Sequence, residues 1–153
     1  MKKTAFFFLL AALTLLTSTE VFSQAQDSVI KYKDGSYSGL SRAKYIYEPF
    51  WGIVHITLKN GLITDIRFVI RDSNLHETFD GNYEKHFDGN AVYIQQSRND
   101  WNGAQTYPKK LSETQDINKI DAISGATWSY NIFRASVNEA LKNANKNTDS
   151  LAL

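Results

Sequence analysis

Residues 52–70, GIVHITLKNGLITDIRFVI, alternate apolar and polar side chains on both sides of an Asn60-Gly61 pair. Successive side chains of a strand point to opposite faces, so a period of two around a turn pair demands a β-hairpin with one buried face. The pattern also bears on the loop. A two-residue Asn60-Gly61 loop pairs Leu58 with Ile63 and puts Val54, Ile56 and Leu58 on the face of Asp65 and Arg67. A three-residue loop, Lys59-Asn60-Gly61 with Gly61 left-handed, pairs Leu58 with Leu62 instead. Val54, Ile56, Leu58, Leu62, Ile66, Phe68 and Ile70 then share one face, and His55, Thr57, Asp65 and Arg67 the other. A one-residue slip inverts every side chain, so burial of a single face favours the three-residue loop. It sets His55 opposite Asp65, a cross-strand pair that stabilises the sheet by a few tenths of a kcal/mol, on the order of other such pairs.

Around the hairpin the signals are weaker. Lys33 to Gly39 reads as a turn leading into a strand, and Asp72 to Gly89 as polar, irregular chain. Val92 to Trp101 carries no assignable period, and a helix is expected near Pro108 to Glu113. The segment from Trp128 to Ala144 has the best helical pattern, with Ile132, Phe133, Val137, Ala140 and Leu141 on one stripe. Strands followed by helices imply a single α+β domain: a mainly antiparallel sheet with a carboxyl-terminal amphipathic helix packed on it.

The amino terminus has its own logic. Lys2 and Lys3 precede a 12-residue apolar run, Ala5 to Leu16, followed by small and polar residues to Ala25. That order is a secretory signal peptide, and the run is short of the roughly 20 residues a spanning helix needs. Cleavage after Ala25 puts Ser23 at the minus-three position, and cleavage after Ser23 puts Val21 there. The expected organisation is a signal peptide over 1–25, one domain over 26–145 and a fraying polar tail over 146–153. Zero cysteines exclude a lipidated cysteine, a disulfide and any thiolate chemistry. Loss of 1–25 takes the basic count from 17 to 15 and the acidic count from 16 to 15, so the net charge falls from +1 to 0. A neutral chain suggests neither nucleic acid nor an anionic membrane as partner, and the mature protein is expected to be periplasmic or secreted, without membrane insertion.

The stretch DAISGATW, Asp121 to Trp128, precedes the last helix. Locally it reads as a helix start, with Ser124 as the capping hydroxyl, Gly125 easing the approach and Asp121 at the positive end of the dipole. The same features make a phosphate site, because free N–H groups at a helix start meet small side chains and a hydroxyl. Spacing alone leaves both readings open. Ser124-Gly125-Ala126-Thr127, preceded by Asp121, resembles the signature of the FMN-binding domain family, with Ala122 where the family has glycine. That family includes the FMN-bearing peripheral subunits of Rnf and sodium-translocating NADH:quinone reductase complexes. Asp34 to Gly39 is similar to its opening turn, the hairpin occupies the expected middle position, and the resemblance spans roughly residues 31 to 144. His76-Glu77-Thr78 resembles a His-x-Glu-Thr-Pro-Gly element of the family, offset and without its proline, which sets Glu77 and Thr78 beside the cofactor.

The resemblance implies that a flavin transferase attaches FMN covalently to Thr127 as a phosphoester, with Asp121, Ser124, Gly125 and Ala126 as the recognised turn and Trp128 next to the ring. It implies an extracytoplasmic electron-transfer protein working between membrane or extracytoplasmic redox partners, a carrier more than a stand-alone enzyme. A reductase with its own small acceptor, or a module that holds FMN without redox turnover, are the alternatives. Trp128, Trp51, Tyr37 and Trp101 could stack on a flavin, although ordinary packing suffices for Trp51 and Trp101. His76 and Glu77 lack the third partner that a metal site needs, and His86 has no obvious company and is expected at the surface.

Overall fold

The computed structural model describes residues 32–41 and 48–149, with side chains described as far as Asn145. The expected signal segment lies outside the described residues, as do 150–153 of the expected tail. Strands β1 (Gly35–Leu40), β2 (Phe50–Lys59), β3 (Leu62–Asp72) and β4 (Thr78–Phe79) form one antiparallel sheet in the order β1-β2-β3-β4. Two long helices, α1 (Ala91–Thr114) and α2 (Thr127–Asp149), pack against it, α2 across β1 and β2 and α1 against β3. Short 3-10 turns at Tyr83–Phe87 and Ile117–Lys119 precede each helix. This is the α+β architecture that the sequence pattern implies.

The hairpin forms with the expected buried face but by a different device. Its loop is the two-residue Asn60-Gly61 turn, with φ of 54° and 77°, pairing Lys59 with Leu62 and Leu58 with Ile63. A register shift beside Leu58 leaves Thr64 as an extra residue, after which Thr57 pairs with Asp65 and Ile56 with Ile66. The bulge restores the apolar set to one side: Val54, Ile56, Leu58, Ile63, Phe68 and Ile70 are buried, while Leu62 is 55% exposed. His55 consequently faces Arg67, not Asp65, and its Nδ1 lies 2.7 Å from the Ser38 hydroxyl. An Asn-Gly pair that takes φ > 0 at both residues favours the primed turn, whose twist matches the strands, and a bulge then corrects the register.

The largest departure from expectation is α1. It runs unbroken for 24 residues from Ala91 and passes through Pro108, where only a short helix was expected. Asn90 caps it by accepting from the Tyr93 amide at 3.1 Å, and Gln115, left-handed at φ 59°, ends it by donating its amide hydrogen to the Leu111 carbonyl. Its buried side is Ser97, Asp100, Gly103, Ala104, Tyr107 and Leu111, a stripe of helical period. Four of those six residues are small or polar, which hides the stripe from hydrophobic periodicity. Tyr107 and Leu111 on either side of Pro108 are fully buried, so packing holds the helix where the proline removes a backbone bond.

Helix α2 follows its predicted stripe, with Ile132, Phe133, Val137 and Ala140 fully buried and Leu141 at the rim. It continues to Asp149, so the tail boundary expected near Asn145 falls inside the helix. Two glycines let it lie against the sheet. A Cβ on Gly39 would stand 2.0 Å from the Ser136 carbonyl oxygen and 2.4 Å from the Ala140 nitrogen. A Cβ on Gly52 would meet Ile132, Ser136 and Phe68 within 3 Å.

Gly39→Ala therefore pits a methyl group against backbone atoms that no rotamer change can move. Urea unfolding is expected to show a loss of about 3 kcal/mol or more. Gly89→Ala, where φ is 77° but nothing lies within 4 Å, is expected to lose only about 1 kcal/mol.

Candidate functional site

The turn ahead of α2 is built by α1. The Ala126 amide donates to the Ile123 carbonyl at 2.9 Å, closing a turn in which Gly125 adopts φ 78°. Four residues of one α1 face, Gln96, Asp100, Gly103 and Tyr107, hold it at spacings of four, three and four. Gln96 Nε2 donates to the Gly125 carbonyl at 2.8 Å. Tyr107 accepts from the Ile123 amide at 3.0 Å and donates to the Ala126 carbonyl at 2.9 Å, and burial pushes its hydroxyl above the usual tyrosine range. Gly103 allows contact: a Cβ there would be 2.7 Å from the Ala126 Cβ and 2.9 Å from Ser129 Oγ.

Asp100 closes the arrangement. Its Oδ1 accepts from the Ser129 amide at 3.0 Å and from the Ser129 hydroxyl at 2.9 Å, and its Oδ2 accepts from Gln96 Nε2 at 2.6 Å. The cap of α2 is thus a carboxylate from another helix. Ser124, the cap expected from the sequence, sits exposed in the turn, because α2 begins at Thr127 and the position immediately before it is Ala126, which has no side-chain acceptor. Asp121 is exposed upstream of the turn. Thr127 is exposed at the first helical position, where its own amide and that of Trp128 precede any intrahelical acceptor.

Trp128 connects this turn to a cavity of about 330 Å³ lined by Phe50, Phe79, Phe87, Tyr93, Gln96, Ser97, Asp100 and Trp128. Its volume falls in the range of small-molecule sites, and its lining has their character, mostly aromatic with a few polar groups. The Trp128 ring stands edge to face on Phe50 at 5.1 Å and on Phe79 at 5.3 Å, and Phe87 meets Tyr93 at 5.8 Å. A larger cleft of about 520 Å³ is lined by polar side chains around Gln115, Asn118, Asn138 and Lys142, beyond the far end of α1. Asn138 is 11 residues along α2 from Thr127, about 16 Å at the helical rise, so that cleft is remote from the turn.

A second buried carboxylate props the aromatic wall. Asp72 accepts from the Tyr83 hydroxyl at 2.5 Å and from the Asn74 and Leu75 amides at 2.7 and 3.3 Å. Burial opposes its charge, but these bonds outweigh it and hold the carboxyl below the usual range. Burial, then the bond to Asp72, pushes the Tyr83 hydroxyl well above its ordinary value, so it remains a donor. Tyr83 in turn packs on Phe79 at 4.8 Å and Phe50 at 5.8 Å.

Of the residues marked in the sequence, the structure brings Ser124, Gly125, Ala126, Thr127 and Trp128 together at the turn. Glu77 and Thr78 have other partners. Glu77 accepts from His86 Nε2 at 2.9 Å and Lys85 Nζ at 3.2 Å, and Thr78 Oγ1 accepts from Arg71 at 2.6 Å; neither lines the cavity. His86, expected alone at the surface, has both Glu77 and the Tyr83 ring, 4.8 Å away, for company. Tyr37 is buried and donates to the Lys33 carbonyl, Trp101 packs against the core, and Trp51 lies on β2; none lines the cavity. The residues that sequence reading missed are Gln96, Asp100, Gly103 and Tyr107, whose one signal was helical spacing in a segment without apolar residues at those places. Among the described residues, no group of three histidine or acidic side chains is placed to hold a metal.

A family profile described as FMN-binding domain matches residues 47–142. Among solved structures, the crystal structure of CPE2226 protein from Clostridium perfringens is similar at 25% identity and a TM-score of 0.54, covering 76% of this chain and 91% of that one. A solution structure from Clostridium thermocellum is similar at 22% identity and a TM-score of 0.44, covering 73% and 92%. None of the curated proteins compared matches the chain.

Asp100→Ala strands the Ser129 amide in a buried place and is expected to destabilise by about 2–3 kcal/mol in urea titrations, with Asp100→Asn losing less because an amide oxygen still accepts. Asp72 supplies the pH dependence. Its folded pKa lies below the unfolded value, so its contribution is complete above roughly pH 4 and is lost as pH falls through the folded value. Melting curves of the native protein should therefore fall more steeply below about pH 4 than those of Asp72→Asn.

Proposed function

The chain belongs to the FMN-binding domain family, and on that premise we propose that it carries FMN joined through its phosphate to the Thr127 hydroxyl. One observation carries the reading. The exposed Thr127 opens α2 immediately beside Trp128, which lines the aromatic cavity, so adjacent residues offer a tether and a ring site. The residues fit such a group. Gly125 keeps side-chain bulk out of the turn, since a Cβ there would be 2.6 Å from Asn99 Nδ2. The free amides and dipole at the start of α2 offset the phosphoester charge.

No described residue is hydrogen-bonded to Thr127 as a base, which fits a hydroxyl activated by an external flavin transferase. Thr127 Oγ1 forms its bond to phosphorus as the bond from that phosphorus to a leaving group breaks in an activated flavin phosphate donor brought by the transferase, which takes up the hydroxyl proton, so the product is threonine plus FMN less one water. When bound, the flavin supplies the electron transfer. The protein's own part is to hold the ring among Phe50, Phe79 and Trp128, to exclude water there and to keep the buried Asp100 charge at the cavity wall.

In this reading the protein is an extracytoplasmic electron carrier, exported by residues 1–25 and exchanging electrons with membrane or extracytoplasmic redox partners. The signal-like order of the amino terminus supports export, and a covalent tether suits a compartment where lost FMN is not replaced.

Co-expression with a flavin transferase should yield a chain that keeps flavin fluorescence after denaturation and gains the mass of FMN less one water. Thr127→Ala should remove that mass while leaving the melting temperature within about 2 °C, because the side chain is exposed. A native chain that stays dark with Thr127 unmodified would sink the covalent reading.

A further inference from the structure

One buried hydroxyl in the cavity wall is left without a partner by the fold. Ser97 belongs to the buried stripe of α1, is only 5% exposed and lines the cavity. No described residue hydrogen-bonds its Oγ. Every fully sealed side-chain polar atom among the described residues does have a partner, so the Ser97 hydroxyl is not fully sealed, and the cavity is a space that Ser97 lines. Four other hydroxyls on the two helices do find partners. Thr106, Thr114 and Ser136 donate to the carbonyl four residues back, and Ser129 donates to Asp100 and to the Ala126 carbonyl. The Tyr93 carbonyl offers Ser97 the same bond, and Ser97 does not make it.

The buried residues of the wall are Phe79, Ser97 and Asp100. Phe79 has no polar atom. Asp100 can only accept, and three donor contacts, from the Ser129 amide, the Ser129 hydroxyl and Gln96, leave a carboxylate with capacity for one more. Ser97 can donate. The two are three residues apart on one helical face and are therefore neighbours. A donor beside an acceptor in the buried wall of an aromatic cavity is the complement of a carbonyl beside an N–H, which is the imide edge of a flavin ring system.

We propose that Ser97 and Asp100 are the residues that read this edge, Ser97 donating to a ring carbonyl and Asp100 accepting from the imide N–H. This rests on the FMN reading above, but on the ring alone and not on the covalent bond. The pair fixes which end of the ring enters the cavity, leaving the dimethylbenzene end toward the aromatic mouth, and it selects flavins over aromatic ligands of similar size that lack an imide.

The test uses the full chain made without a transferase and lumiflavin, the ring system without phosphate, followed by fluorescence quenching. Lumiflavin should bind Ser97→Ala about five- to tenfold more weakly than the native protein, the effect of one hydrogen bond. The carbonyl stretching band of bound lumiflavin should move to higher frequency in Ser97→Ala and return in Ser97→Thr. N3-methyl-lumiflavin, which lacks the imide proton, should bind the native protein at least tenfold more weakly than lumiflavin. Equal affinities for lumiflavin with an unshifted carbonyl band in Ser97→Ala overturn the proposal, and so does equal binding of the two flavins by the native protein. If Ser97→Ala does not fold, the comparison of the two flavins on the native chain still decides. Intact mass separates the two readings: full FMN loading without imide discrimination refutes this inference alone, and discrimination without covalent loading refutes the tether alone.

Discussion

The buried carboxylate of Asp100, set against the first turn of α2, is the contact on which the site depends. A helix start exposes amides that need acceptors, and the residue before Thr127 is an alanine without a side-chain acceptor. By accepting from both the amide and the hydroxyl of Ser129, Asp100 ties α1 to α2 and fixes where α2 begins. Gln96 extends the same bond set to the Gly125 carbonyl, so the turn carrying Thr127 is held from one face of one helix. An exposed threonine at a helix start is more firmly positioned on such a frame than on a free loop. The carboxylate also takes the third amide of α2, while the first two remain open to an anion beside Thr127.

Close approach between elements makes that frame possible. Gly103 lets α1 touch Ala126 and Ser129, while Gly39 and Gly52 let α2 settle on β1 and β2. Across the top of the sheet, Asp72 and Tyr83 hold Phe50 and Phe79 in place for Trp128 to meet. The cavity is therefore walled by five separate parts of the chain: β2, β4, the 3-10 turn ending at Phe87, α1 and the start of α2. Its two buried polar groups, Ser97 and Asp100, come from the same helix that holds the turn, so the turn and the cavity wall are coupled through α1.

How much could be read in advance differs by element. The hairpin face was legible because period two is a strong signal, yet the loop was not, since a bulge at Thr64 achieves the same burial as a longer turn. Helix α2 was legible from Ile132, Phe133, Val137 and Ala140. Helix α1 was not, because its buried stripe contains Ser97, Asp100 and Gly103, residues chosen for contact with the turn and cavity and poor in apolar surface. The cap showed the same limit: Ser124 was the local candidate, and a carboxylate 29 residues before Ser129 in the chain took the role.

By itself the sequence determined the α+β class, the buried face of the sheet, the last helix and the residues of the turn, because each is written in a local period or a contiguous string. Only the tertiary structure decided the bulged register, the unbroken α1, the carboxylate that caps α2 and the aromatic cavity beside Thr127. Those depend on groups distant in the chain meeting at hydrogen-bond or van der Waals distance, and no local pattern records which of them will meet.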